Sequence, residues 1–396
     1  MIVSAIGVLI VALVVLDSLL TVLDASGRSI FSTRVYRAAW WFWRHLAKLL
    51  PAGLAQAFLS VAAPLMIALL IALWIFGIVT GFALIFYGGL SFGDVVAGGG
   101  SQPSLPSAFR LSWVTLSTIG FVEISPSNMA HSVTVALEAL LGSVILTFSI
   151  TYFLSVHRSI LDFDRLVLDL HHRMGPRHDP IETLASHFSN GDMQGLERWL
   201  ERLHDGLVGM HQGLNRYPIV YFYRPQDRQR SLPRTVQALA RITECLSWLT
   251  PDDAPGTQSP ALKSLRAGMA DLVSDLGKTH IPIVTAASPR PVSRSEFEAA
   301  VRGNEWVIEP SVRKFLEGCG ALHDIAGRHV DVAGSYANYR EWLPAATRTQ
   351  QLVSTISTDL GYAEDLRPRR SSYLLGLLNR NPKQRPQALV AKGGRP

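Results

Sequence analysis

The sequence predicts an all-α membrane protein that continues into a helical soluble part. Hydrophobic residues make up 48% of the 396 residues and are concentrated in the first 157 positions. Three of the apolar runs there are long enough to span a bilayer. From residue 158 onward, apolar residues recur at helical spacing between stretches rich in proline and glycine.

Residues 1–27 form the first predicted element, an N-terminal transmembrane helix. No basic region precedes its apolar run and no small-residue cleavage site ends it, so we expect it to be retained rather than removed as a signal peptide. Asp17 interrupts the run. Two interpretations stay open for it: a functional carboxylate within the membrane, or a residue that faces other helices near the interface.

Residues 28–50 are predicted to form a helix in the lipid headgroup region. Its basic residues alternate with aromatic ones, and both types favour the membrane interface. The positive-inside rule places this segment in the cytoplasm, so the N-terminus would lie outside.

Residues 51–157 contain the remaining spans. A charge-free helix over 57–87 leads to an external turret rich in glycine and proline, and a second long helix covers 131–157. Between them lies 106–126, whose helix is too short to span. Such a re-entrant segment needs protein or water around it, which one copy alone cannot supply.

The re-entrant segment carries the string Thr115-Leu116-Ser117-Thr118-Ile119-Gly120-Phe121-Val122-Glu123, followed by Pro126. This string resembles the pore loop of the potassium-channel superfamily, whose pattern is T-x-T-T-V-G-Y-G-D and then a proline. Val122 stands where the family has its second glycine. A selectivity filter turns backbone carbonyls toward the ion, and a β-branched residue is strained at positive φ. We therefore expect the inner carbonyls, of Thr118 and Ile119, to be better preserved than the outer ones.

The resemblance implies a tetrameric channel fold: outer helix, re-entrant pore helix and filter, and inner helix, preceded here by the extra N-terminal span. It assigns the filter to Thr118, Ile119, Gly120, Phe121 and Val122, and filter support to Thr115, Ser117, Glu123 and Glu138. Glu138 is expected to pair with Thr115, Ser117 or a neighbouring subunit. Gly142 matches the gating-hinge glycine, with close helix packing as the alternative.

The predicted function is a homotetrameric, potassium-conducting cation channel. Two alternatives rest on Val122: a channel fold that does not conduct and serves as a membrane sensor or scaffold, and a poorly selective pore. By the same resemblance, the 28–50 helix is either a gating lever or a simple anchor. Thr147, Ser149 and Thr151 either face a wet cavity or bond their own backbone.

Residues 158–365 are predicted to form a helical cytosolic domain that gates the inner helices through an unknown ligand or protein partner. Residues 366–396 form a basic tail that we expect to be disordered. Cys245 and Cys319 are interpreted as small buried apolar residues. No enzyme motif, metal-ligand spacing or cofactor motif is present in the sequence, and the net charge of +6 is assigned to the membrane surface rather than to nucleic acid. The expected location is the bacterial inner membrane, with monovalent cations as permeant ions.

Overall fold

The computed structural model describes most of the chain but not all of it. The described residues are 2–23, 29, 31–91, 95–97, 104–119, 124–126, 128–174, 180–189, 192–249, 258–280, 289–301, 309–326 and 335–362. The chain divides into two compact units. Unit 1 comprises Met1–Leu161 and Gln212–Gln226, and unit 2 comprises Asp162–His211 and Asp227–Pro396.

Unit 1 begins with four helices, which are α1 (Ile2–Leu23), α2 (Ser32–Ala47), α3 (Ala52–Ser60) and α4 (Ala62–Ser91). Helix α4 starts later than the predicted outer helix, because a turn at Val61 separates it from α3. Pro64 explains this correction. Proline has no backbone N–H, and its ring would clash with the carbonyl of Ser60 in a continuous helix, whereas it is tolerated in a first turn.

Helix α1 packs along α4 through small residues. A Cβ on Gly7 would lie 2.4 Å from the carbonyl oxygen of Gly81, and one on Gly77 would lie 2.7 Å from Val14 Cγ2. Gly77 and Gly81 form a G-x-x-x-G pair, the spacing that lets two apolar helices approach closely in a membrane.

In the next part of unit 1, one short helix lies between two short strands, and a long helix follows. After α4 come β1 (Val95–Ala97), α5 (Leu105–Leu116), β2 (Ile124–Pro126) and α6 (Met129–Met174). The strands pair antiparallel, with Val96 opposite Ser125. Each strand has only three residues, and all other described secondary-structure elements are helices, as the all-α prediction stated. Helix α6 continues beyond residue 157, where the predicted inner helix ends, to Met174.

Three described helices are long and apolar enough to cross a membrane. They are α1, residues Ala62–Gly89 of α4, and α6, which matches the number of predicted spans.

The further described elements of unit 2 are helices, as predicted for residues 158–365. They are α7 (Pro180–Ser189), α8 (Met193–Arg216, whose last residues belong to unit 1), α9 (Leu232–Glu244, continued by a π-helical turn to Leu249), α10 (Pro260–Thr279), α11 (Arg294–Val301), α12 (Pro310–Ala326) and α13 (Tyr336–Asp359). Its core includes an aromatic cluster from three helices, in which Phe297 stacks on Tyr339 and Phe315 contacts Trp342. The basic tail 366–396 lies outside the described residues.

Candidate functional site

Helix α5 begins at a local capping motif. The Ser104 side chain accepts a hydrogen bond from the backbone N–H of Ser107 at 3.3 Å, and Pro106 occupies the first turn, where its missing N–H costs nothing. One face of the helix is buried and consists of Ala108, Leu111, Ser112 and Thr115. Helix α5 packs against α4.

Helix α5 ends in a Schellman motif. The N–H of Ile119 donates to the carbonyl of Val114, and the N–H of Thr118 donates to the carbonyl of Thr115. This geometry requires a left-handed residue, and Thr118 supplies it with φ 56°. A β-branched residue in that region costs about 1–3 kcal/mol, and such strain is concentrated at functional sites. The turn contains Thr118 and Ile119, the first two residues of the predicted filter.

Ser112 lies where three helices meet. Its hydroxyl is 3.0 Å from the carbonyl oxygen of Val79 in α4 and is hydrogen-bonded to Glu138 Oε1 in α6. The Ser112 and Glu138 side chains are fully buried. The expected pairing of Glu138 with Thr115 or Ser117 is therefore corrected: its partner lies one turn earlier in α5.

Gly142 brings α6 against the C-terminal end of α5. A Cβ at this position would lie 2.5 Å from the carbonyl oxygen of Leu116 and 3.1 Å from Leu116 Cδ1. The packing alternative for Gly142 is thus observed, while its role as a hinge stays a prediction.

The other predicted site residues fall into two groups. Thr115 is buried, whereas Ser117, Thr118 and Ile119 are exposed, and the Ser117 hydroxyl bonds the carbonyl of Val114 within its own helix. Gly120, Phe121, Val122 and Glu123 lie outside the described residues.

Helix α6 exposes one long face. Its apolar stretch is only 17% buried, against 44% for α4. Among its exposed side chains, one series follows a spacing of alternating four and three residues and so forms a stripe along the helix: Val133, Leu137, Leu140, Val144, Thr147, Thr151 and Leu154. The hydroxyls of Thr147 and of the buried Ser149 bond their own backbone, as one predicted alternative holds.

Asp17 is a buried junction of three helices. Its carboxylate accepts hydrogen bonds from the backbone N–H of Phe31 at 2.9 Å, the Ser32 hydroxyl at 2.6 Å and Trp74 Nε1 at 3.0 Å. Two of these donors lie at the N-terminus of α2, where the helix dipole favours a negative charge. Asp17 therefore faces other helices, as the second of the two interpretations stated.

A second junction joins α2 to α6. The hydroxyls of Tyr36 and Tyr152 are 2.7 Å apart, and both rings are buried. Tyr152 also packs edge-to-face on Trp74 and on Tyr217. Tyr217 belongs to Gln212–Gln226, the segment that returns to unit 1.

The returning segment adds further apolar contacts to α2. A 3₁₀ helix over Pro218–Phe222 buries most of its side chains, and Phe222 packs on Trp40 at 5.5 Å between ring centroids. Helix α2 is thereby held by α1, α4, α6 and the returning segment.

Sequence reasoning missed Ser112, Tyr36, Tyr152 and the left-handed Thr118. One signal could have identified Ser112: it is a polar residue on the apolar face of a short amphipathic helix, and an intramembrane glutamate requires a partner. The tyrosine pair carries no such signal, since its members are separated by more than a hundred residues.

Within the described residues, no cluster of three or more His, Cys, Asp or Glu side chains could hold a metal ion. Cys245 and Cys319 form no disulfide bond, and both are buried. Burial, with the neighbouring Cys245, raises the pKa of the Cys319 thiol to about 12, so it is a poor nucleophile.

No protein-family model matches the chain, and no solved structure matches it. Among curated proteins, it is similar to YdjJ, an uncharacterised membrane protein of Bacillus subtilis (strain 168). The two are 23% identical over 254 residues, which cover 63% of this chain and 72% of that protein. This likeness and the three apolar helices together support membrane association for the chain.

Proposed function

We propose that the protein is a pore-loop cation channel that assembles as a homotetramer and conducts potassium. Each copy would supply α4 as outer helix, α5 as pore helix and α6 as inner helix. The observation that carries the proposal is the short helix α5 between two paired strands, flanked by two helices long enough to span a membrane. Strand β1 follows α4, strand β2 precedes α6, and the two strands pair, so the chain leaves and returns at the same edge.

The depth of α5 supports this assignment. Ser112 contacts α4 at Val79, twelve residues before the end of α4 at Ser91. At 1.5 Å per helical residue, that contact lies about 18 Å from the helix end, which is near the middle of a 30 Å hydrocarbon core. Helix α5 is itself only about 18 Å long and cannot span. Its C-terminal end then points a negative dipole into the bilayer, which favours a cation there.

The exposed faces of α5 and α6 support assembly. Helix α5 exposes Arg110, Trp113 and Ser117 on one face, and α6 exposes the stripe that includes Thr147 and Thr151. Charged and hydroxyl groups at membrane depth belong against protein or water rather than lipid. Further copies of the chain around a water-filled axis would cover both faces.

The proposal extends to location and gating. The basic and aromatic residues of α2 favour a cytoplasmic interface. In the proposed topology the N-terminus would then lie outside, and unit 2 would lie in the cytoplasm of a bacterial cell. Unit 2 would gate the pore in response to a ligand or protein partner. No cofactor is required, because the permeant cations are the cargo.

A second candidate is a sensor or scaffold that retains the channel fold without conducting. Val122 favours it, since a β-branched residue at the second filter glycine weakens the outer carbonyl sites.

Ion flux in liposomes that contain the purified full-length protein tests both candidates. Potassium, sodium and larger cations are compared for the native protein and for Val122→Gly. The matched control is Val61→Gly, which makes the same substitution in the turn before α4. Potassium-selective flux in the native protein would support the channel. Flux only in Val122→Gly, or in no variant, would contradict native conduction and favour the scaffold.

A further inference from the structure

The hydrogen bonds of Ser112 require more protons than its hydroxyl can supply. A serine hydroxyl has one proton to donate and two lone pairs that accept. Its two close neighbours are the Val79 carbonyl oxygen at 3.0 Å and Glu138 Oε1. A carbonyl only accepts, and so does an ionised carboxylate. One of the two contacts would then be an unfavourable approach of two oxygens.

A proton on Glu138 removes this conflict. The carboxylic acid donates to Ser112, and Ser112 donates to Val79, so that each oxygen pair shares one hydrogen. The three groups then form a chain from α6 through α5 to α4.

The surroundings of Glu138 favour the neutral form. Helix α4 contains no charged side chain, Arg110 of α5 is exposed, and the other titratable group at this end of α6, His131, lies two turns away. Among the described residues, no cation forms an ion pair with Glu138, and its Oε2 atom is buried without a hydrogen-bond partner. An ionised carboxylate in such a position is far more costly than a neutral acid.

We infer that Glu138 is held as a neutral acid and that Ser112 is the positioning residue that fixes the pore helix between the outer and inner helices. The hydrogen bonds that link Glu138, Ser112 and Val79 do not depend on whether the protein conducts ions. Their consequence for the pore rests on the proposed function. In that function the filter begins at the strained turn at Thr118, one to two helical turns after Ser112.

Infrared spectroscopy of the full-length protein in lipid vesicles at neutral pH tests the proton directly. A protonated carboxyl group shows a C=O stretching band that a carboxylate lacks. We expect this band to disappear in Glu138→Gln and to shift to higher frequency in Ser112→Ala, which removes the acceptor. Glu296→Gln is the matched control, because hydrogen bonds from Ser293 hold the pKa of that exposed carboxyl below its usual range.

A spectrum of Glu138→Gln identical to that of the native protein would overturn the inference. If Glu138→Gln does not fold, Ser112→Ala provides the test. An unshifted C=O band in that variant would equally exclude a hydrogen bond from Glu138 to Ser112.

Rescue by the conservative variant tests the positioning role. The glutamine amide can donate to Ser112 as the acid does, so Glu138→Gln should keep ion flux within about twofold of native. Glu138→Ala should reduce it by about tenfold or more, as expected for a lost buried hydrogen bond. Equal loss in both variants would refute the donor role of Glu138. The C=O band could be present in a protein that conducts under no condition. That result would support the hydrogen bonds from Glu138 through Ser112 to Val79 and would refute only the proposed channel.

Discussion

Replacing Gly142 by alanine tests whether α6 and α5 pack as closely as the structure indicates. The new Cβ would lie 2.5 Å from the carbonyl oxygen of Leu116, so the helices must separate by roughly 0.9 Å to restore an ordinary contact. Overpacking of this kind costs about 1–3 kcal/mol, and the higher helix propensity of alanine returns about 1 kcal/mol. We expect a net destabilisation of about 1 kcal/mol per copy.

Gly209→Ala is the matched control because Gly209 also lies within a helix. Its Cβ would meet no atom closer than Asp162 Cβ at 3.9 Å, so only the propensity gain remains. Thermal unfolding in lipid nanodiscs, followed by tryptophan fluorescence, should show a lower Tm for Gly142→Ala and a higher one for Gly209→Ala. Equal shifts in the two variants would refute the close contact.

Ion-flux measurements on Gly142→Ala distinguish a packing role of Gly142 from a hinge role. A displaced Leu116 carries the turn at Thr118 with it, so the packing role predicts that Gly142→Ala loses flux together with stability. Altered opening at unchanged Tm would instead support the hinge.

Three further predictions concern the buried polar groups. Asp17→Ala leaves the Phe31 N–H, the Ser32 hydroxyl and the indole N–H without their acceptor, and should lower the free energy of unfolding by about 3 kcal/mol in the same nanodisc assay. Tyr36→Phe and Tyr152→Phe should each cost about 1 kcal/mol, and the double variant little more, because one hydrogen bond is lost in all three. Burial raises the pKa of Glu244, and this effect exceeds the lowering of that pKa by the positive charges of Arg241 and Lys314. Its contribution to stability is therefore greatest below the pKa of an unfolded glutamate and is lost as pH rises through the higher folded value, so Glu244→Gln should flatten the dependence of Tm on pH.

Each of these predictions has its own control. Trp74→Phe removes a single donor from Asp17 and should cost less than Asp17→Ala; the reverse order would contradict the junction. Additive losses in the tyrosine double variant would contradict a direct hydrogen bond. Glu201→Gln, at an exposed position of α8, should leave the pH profile as it is, and a change as large as that of Glu244→Gln would remove the burial argument.

Patterns local in sequence predicted most of the fold. Hydropathy identified the three spans, and the helical spacing of apolar residues after residue 158 predicted that unit 2 is helical. The start of α4 was predicted too early because the apolar composition around residue 57 was given more weight than Pro64, which has no N–H to donate within a helix.

The candidate site was predicted only in outline. Glu138 was recognised as an intramembrane carboxyl that needs a partner, yet Ser112 was passed over in favour of residues nearer the filter. The Tyr36–Tyr152 pair and the return of Tyr217 to unit 1 depend on tertiary packing between distant segments. Neither periodicity nor motif spacing carries that information.

The membership of Gln212–Gln226 in unit 1 has a consequence for dividing the protein into fragments. A fragment that ends at Leu161 would lack Tyr217 and Phe222, and would leave Trp40 and Tyr152 without the aromatic rings that cover them. A fragment that begins after Leu161 would expose the same apolar segment to water. Limited proteolysis after Leu161, or separate expression of the two fragments, is therefore expected to yield aggregation-prone products. Co-expressed fragments could complement each other only if residues Gln212–Gln226 of the second fragment pack against the first.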